Sequence, residues 1–175
     1  MTALGIDETL QTLLSCVCAK LTELGVPACS CFATVGNPTE SIGLCCSCPS
    51  GTGELRASLT RVYRGDRTNG ADSSVAAKPC APVNWVAQYS VVLSRCFPKL
   101  STSGNLPTGE KTQEAAAGLH ADVAAMMRAI HCCVLDEPAY VEQVAIEQDP
   151  QGGCSYITLS VRAPITIKGA SNLHP

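Results

Sequence analysis

NWVAQYSVVLSRCFPKL, Asn84 to Leu100, and EAAAGLHADVAAMMRAIHCC, Glu114 to Cys133, decide the fold between them. In the first stretch Trp85, Ala87, Tyr89, Val91, Leu93 and Phe97 fall on one face, with Gln88, Ser90 and Ser94 on the other. A period of two sustained over this length marks a long, half-buried strand. From Leu119 the period lengthens. Leu119, Val123, Met126, Met127, Ile130 and Cys133 recur at helical spacing, while His120, Asp122 and Arg128 point elsewhere. Between the two lies a polar Gly/Pro-containing excursion, Ser101 to Gly109. Thr112 and Ser101 both qualify as helix caps and Gly118 weakens the first turn, which leaves the helix onset open over several residues.

Upstream, Asp7 is an N-cap for a helix carrying Leu10, Leu13, Leu14, Val17, Leu21 and Leu24 on one stripe, with Gly25 at C′ and Pro27 beyond. Ala28 to Val35 reads as a short strand in which Cys29 and Cys31 share a face with Ala33. Glu54 to Arg64 alternates, with Leu55, Ala57, Leu59 and Tyr63 on one side and Arg56, Ser58, Thr60 and Arg64 on the other. That is the pattern of an antiparallel strand with one wet or partner-facing surface. Gly65 to Pro82 shows no period and reads as a long loop, a feature usually tied to function or an interface. Downstream, Asp136-Glu137-Pro138 ends the helix. Tyr140 to Gln148 and Cys154 to Pro164 then form a hairpin about Asp149 to Gly153. Its second strand buries Ile157, Leu159 and Val161 and shows Tyr156, Thr158, Ser160 and Arg162. The sum is an α+β two-layer sandwich, an antiparallel sheet with two main helices on one face. It forms one domain over residues 1–167 with a long loop at 65–82, followed by a C-terminal tail at 168–175.

The 175 residues suffice for one domain with a sizeable core. Only 15% are charged, against about 25% in ordinary soluble domains. Such a deficit points to surface covered by other subunits. The net charge of −3 and the lack of a Lys/Arg cluster argue against a dedicated nucleic-acid binder. No apolar run approaches a membrane span, and the N-terminus lacks the pattern of a signal peptide, so the chain is expected to be cytosolic at synthesis.

The search for chemistry returns little. His120 and His131 lie about 16 Å apart on one helix, too far for one metal or a catalytic pair, and His174 is in the tail. There is no phosphate-binding Gly loop, no G-x-S-x-G and no H-E-x-x-H. No catalytic, cofactor-binding or metal-ligating residue is expected, and the chain reads as a non-enzyme. The twelve cysteines stay open between buried thiols, disulfides and a zinc site of Cys45, Cys46 and Cys48 with Cys80 or with Cys132-Cys133. Cys16 and Cys18, two apart on a helix, face different directions and do not share a metal.

This order of elements resembles the tail-terminator proteins of long-tailed bacteriophages. Short phrases look like the terminator, or head-to-tail connector, proteins of phages infecting actinobacteria: Val86 to Pro98 ending in Arg95-Cys96-x-Pro98, Asn105-x-Pro107, Met126-x-Arg128-Ala129-x-x-Cys132-Cys133, and Gly152-Gly153-Cys154 before the last strand. The resemblance implies a homo-oligomer, a hexameric ring that caps the tail tube. Such a ring stops polymerisation of the major tail tube protein and receives the head-completion or stopper protein. It implies a virion protein of the tail or neck, assembled in the host cytoplasm, whose lumen passes DNA without sequence-specific binding. Arg56, Ser58, Thr60, Thr158, Ser160 and Arg162 are candidates for lining that lumen. The Ala-rich helix face and the Ser101 to Gly109 loop are candidates for contact with a neighbour. The alternatives are another neck or tail component, such as a head–tail stopper or minor tail protein, and a cysteine-stabilised binding module.

Overall fold

The computed structural model describes residues 5–35, 53–66, 70–71, 85–96, 107–133, 139–148 and 153–165. Two helices, α1 (Ile6–Glu23) and α2 (Gly109–Cys132), pack on one face of a sheet. Its strands are β1 (Ser30–Thr34), β2 (Glu54–Asp66), β4 (Trp85–Cys96), β5 (Tyr140–Gln148) and β6 (Cys154–Ile165), in the order β1-β2-β4-β6-β5. The short β3 (Gly70–Ala71) pairs with the end of β2, so part of the expected 65–82 loop is a small ladder, and residues 67–69 and 72–82 lie outside the described residues. The sheet is mixed rather than wholly antiparallel: β1 runs parallel to β2. Parallel neighbours cannot be joined by a tight turn, and here the connection spans residues 35–53.

The first helix begins earlier than expected. Gly5, not Asp7, is the N-cap, because the Glu8 carboxylate reaches back and accepts the Gly5 N–H at 2.9 Å. Asp7 and Glu8 then sit in the first turn, where the helix dipole favours negative charge. The other end is as read. Gly25, at φ 78°, donates to Thr22 O, and Val26 donates to Leu21 O at 3.0 Å. These two bonds form a Schellman closure, which needs a residue at positive φ.

α2 starts between the two candidate caps. Thr108 caps it, its hydroxyl accepting from Lys111 N–H, so neither Thr112 nor Ser101 does so. Its buried stripe is Leu119, Asp122, Met126, Ala129 and Ile130. Met127, expected in the core, is 44% exposed, and Asp122, expected outside it, is only 7% exposed.

The β4 alternation holds on the helix side, but Val86, Val92 and Ser94 on the other side are buried too, so the strand is not simply half-buried. Ala87, Tyr89, Val91 and Leu93 are buried against the helices, with Trp85 packed at the margin, while Phe97 lies outside the described residues. Ile157, Leu159 and Val161 of β6 join the same core. β2 departs from a simple alternation, since the register with β4 shifts between Leu59 and Arg61. A one-residue bulge moves every later side chain to the other face. Tyr63 therefore leaves the helix face, Val62 replaces it against the core, and Leu59 is exposed at the bend.

Four ties hold the helix layer down. Arg95, in core phase at the end of β4, forms a fork with Asp122 of α2, Nε to Oδ2 at 3.0 Å and Nη2 to Oδ1 at 3.1 Å. Two further donors go to Pro27 O at 2.9 Å and Val26 O at 3.0 Å in the α1–β1 turn. One guanidinium thus joins three segments with each end group satisfied, the condition under which a buried ion pair is tolerated. Tyr89 OH donates to Ile6 O at 3.1 Å, and burial pushes its phenol up to about 12. Cys16 is bonded to Cys133 and Cys18 to Cys31, with Cα–Cα separations of 5.7 and 6.3 Å. These bridges leave α1 in different directions, one to the end of α2 and one to β1, as the two-residue spacing requires. A close backbone approach adds a steric tie: a Cβ on Gly53 would stand 1.3 Å from Ser94 O.

Candidate functional site

The face of the sheet away from both helices carries polar residues and, at one end, a second buried cluster of Val92, Cys154 and Tyr156. Strand pairing sets this face in rows: Arg56, Val92 and Thr158; Ser58, Ser90 and Ser160; Arg61, Gln88 and Arg162; Tyr63, Val86 and Pro164. Of the six residues expected to line a lumen, Arg56, Ser58, Thr158, Ser160 and Arg162 share this face. Thr60 is the extra residue at the β2 bulge and turns its hydroxyl back to donate to Gln88 O at 2.9 Å. None of the six belongs to the core cluster beneath the helices. Arg56 and Ser58 are nevertheless buried, and so is Tyr156, which had been expected to be shown. Arg56 lies between the Glu54 carboxylate, at 2.5 Å, and the Phe32 ring, at 5.2 Å from its centroid. What this face offers to a partner therefore centres on Thr60, Arg61, Gln88, Glu142, Ser160 and Arg162, with Phe32 and Glu147 exposed towards its edges, while the Thr158 hydroxyl is buried.

Glu142 is the residue that sequence reasoning missed. The β5–β6 register shifts between Val141 and Gln143, leaving Glu142 as the extra residue of a second bulge. Its carboxylate turns onto the uncovered face and accepts from Gln88 Nε2 at 2.8 Å, Ser160 Oγ at 3.2 Å and Arg162 Nε at 3.1 Å, with a further bond from Arg162 Nη2. Gln88 Nε2 also donates to Ser160 Oγ at 2.7 Å. Arg162 and Arg61 stand over the Tyr63 ring, 6.0 and 5.3 Å from its centroid. Two bulges on opposite sides of the sheet thus feed one network, and no sequence pattern marks either of them. Arg56 and Arg162 both meet carboxylates, so this polar surface is largely self-neutralised.

Among the described residues no group of three or more His, Cys, Asp or Glu is placed to hold a metal. His120 and His131 are exposed on α2, and His174 lies outside the described residues. A groove of about 420 Å³ runs along α1, lined by residues including Gln11, Ser15, Thr22 and the Cys18–Cys31 bridge, with no acid or base in its wall. Eight of the cysteines are described. Cys16, Cys18, Cys31 and Cys133 form the two bridges above, Cys29, Cys96 and Cys154 are also disulfide-bonded, and Cys132 is a free, exposed thiol. These replace the buried thiols among the open readings. They also remove Cys133 from any zinc set, while Cys45, Cys46, Cys48 and Cys80 lie outside the described residues. On α2, Ala117, Ala121 and Ala124 are exposed and Ala129 is buried in the core, so the Ala-rich surface splits between partner-accessible and internal positions. In the loop expected to meet a neighbour, only Pro107, Thr108 and Gly109 are described. No described helix is long and apolar enough to cross a membrane.

No protein-family model matches the chain, and no curated protein matches it.

Proposed function

We propose that the chain is a structural virion protein, the tail terminator of a long-tailed bacteriophage. In this reading it forms a ring, with six subunits as the expected number. The ring caps the tail tube, stops growth of the major tail tube protein and receives the head-completion protein. The observation that carries the reading is the polar network on the sheet face away from the helices. The polar part of that face, around Gln88, Ser160 and Arg162, has most of its charge paired within the subunit, with Arg61 set over the Tyr63 ring. A conduit for DNA needs such a surface, because unpaired Arg or Lys would hold phosphates and unpaired carboxylates would repel them. The helices of 18 and 24 residues favour a terminator over a head–tail stopper, for which a mostly β-barrel fold is expected. In this reading the chain catalyses nothing and acts by shape and contact. It assembles in the host cytoplasm and reaches an oxidising environment in the released virion, where disulfides persist.

The disulfides also favour a second reading, a cysteine-stabilised binding module outside any virion. Negative-stain microscopy and sedimentation of the purified protein separate the two. Closed rings with a central hole are expected for the terminator. A monomer at high protein concentration would overturn it and leave the binding module.

A further inference from the structure

We infer that copies of this chain join edge to edge, β1 of one subunit pairing antiparallel with residues 143–148 of β5 in the next. This rests on the ring proposed above and specifies the contact which that reading leaves open.

Both outer strands of the sheet have one paired side among the described residues: β1 pairs only with β2, and β5 only with β6. Each carries or adjoins exposed apolar side chains. Ile146 and Tyr140 of β5 are 47% and 43% exposed, Phe32 of β1 is 37% exposed, and Val35 just after it is fully exposed. Sheet edges that must stay single are usually blunted by Lys, Pro, bulges or extreme shortness. Neither strand contains Lys or Pro. The one bulge in β5 falls between Val141 and Gln143, leaving a regular run of six residues, 143–148, beyond it. β1 has five residues, so the two free edges match in length.

Phase and direction agree as well. On β5, Val144 and Ile146 pair with Leu159 and Ile157 and so lie on the helix side. On β1, Cys31 and Ala33 pair with Leu55 and Ala57 and lie on the same side. Joining them sets apolar beside apolar there, and sets Phe32 and Thr34 beside Ala145 and Glu147 on the other face. β1, β2 and β6 share one direction, while β4 and β5 run opposite. A rotation about an axis parallel to the strands preserves these directions, which brings β1 against β5 antiparallel, the stronger ladder. Because the two edges differ, the contact is heterologous and propagates around a ring instead of ending at a dimer. Strand addition of this kind draws affinity from main-chain hydrogen bonds and specificity from alternate side chains. Five strands spaced ~4.8 Å apart give each subunit about 24 Å of wall. Six subunits would then enclose a cylinder about 45 Å across at the backbone, wide enough for inward side chains and a DNA duplex.

Amide hydrogen exchange on the full chain, compared between the assembled particle and the monomer obtained by dilution, tests the pairing. Peptides covering 30–34 and 143–148 should slow at least tenfold on assembly, while β4 peptides do not change. A particle that forms without slowing at both edges overturns the pairing and leaves the ring reading standing. A chain that stays monomeric overturns both. In parallel, Ala33→Lys and Ile146→Lys should each raise the dissociation constant of the assembly at least tenfold with an unchanged circular dichroism spectrum. Ala121→Lys, on the exposed surface of α2, should leave it within twofold. The reverse pattern moves the contact to the helix and overturns the pairing.

Discussion

On the helix-covered face of the sheet, the described ion pair is one fork, Arg95 with Asp122, held among α1, α2 and β4. On the uncovered face, charge is spread over Glu54, Arg56, Arg61, Glu142 and Arg162 and linked through Gln88, Ser160 and Tyr63. The first arrangement fastens layers that the chain supplies itself. The second keeps a polar surface orderly where no described helix lies over it. In the first both partners are largely buried, so removing either strands a charge. In the second the solvent reaches Glu142 and Arg61 and can stand in for a lost partner there, while the Arg56–Glu54 pair is as buried as the fork.

The largest expected effect follows from breaking the buried fork. Arg95→Met should cost about 3–5 kcal/mol, read as a fall in the urea midpoint at unchanged slope, because Asp122 is left buried and unpaired. Adding Asp122→Leu should restore part of the loss, and a cycle with no coupling would show that the two residues act separately.

Next comes the covalent tie between the helices. Replacing both Cys16 and Cys133 with Ala should cost about 2–4 kcal/mol, the usual range for a bridge closing a long loop. The wild type in reductant should fall at least as far as this variant, since its other bridges open too.

A smaller effect on the same face depends on pH. Tyr89 has its folded pKa raised from 10.0 to about 12, so the folded state holds this proton more tightly than the unfolded chain does. Its contribution is complete below pH 10 and is lost as pH rises from there towards 12, amounting to about 2–3 kcal/mol at most. Tyr89→Phe should remove this part of the alkaline decline, and a variant with the same profile as wild type would assign the decline to other groups.

The smallest effect belongs to the uncovered face. Glu142→Gln should cost no more than about 1 kcal/mol in stability, in keeping with a partly exposed ion pair. A loss as large as that of Arg95→Met would erase the distinction between the two faces.

The layered architecture was legible because each long element kept one period. Leu10 to Leu21 on α1, and Ala87 to Leu93 on β4, bury the side chains their spacing selects. The parallel placement of β1 was not legible, since a strand of five residues carries no signal of direction. The bulges erased phase at two places, moving Tyr63 to the opposite face and turning Glu142 onto it. Asp122 was readable in principle. It lies three residues after Leu119 and four before Met126, squarely within the buried stripe. A carboxylate there calls for a cation in core phase, and Arg95 continues the inward series of β4. The cap at Thr108 was not singled out because Ser101 and Thr112 on either side of it carry the same capping chemistry.

The Cys16–Cys133 bridge spans a sequence separation of 117 residues. During synthesis at about 5–20 residues per second, α1 leaves the ribosome several seconds to tens of seconds before its covalent partner exists. Through that interval Leu13, Val17 and Leu21 lack the sheet and the second helix that later bury them. Cys16 meanwhile has earlier-emerging thiols within reach, Cys18 and Cys31 among them. A reducing compartment postpones that choice until the whole chain is present, so correct pairing depends on oxidation arriving late.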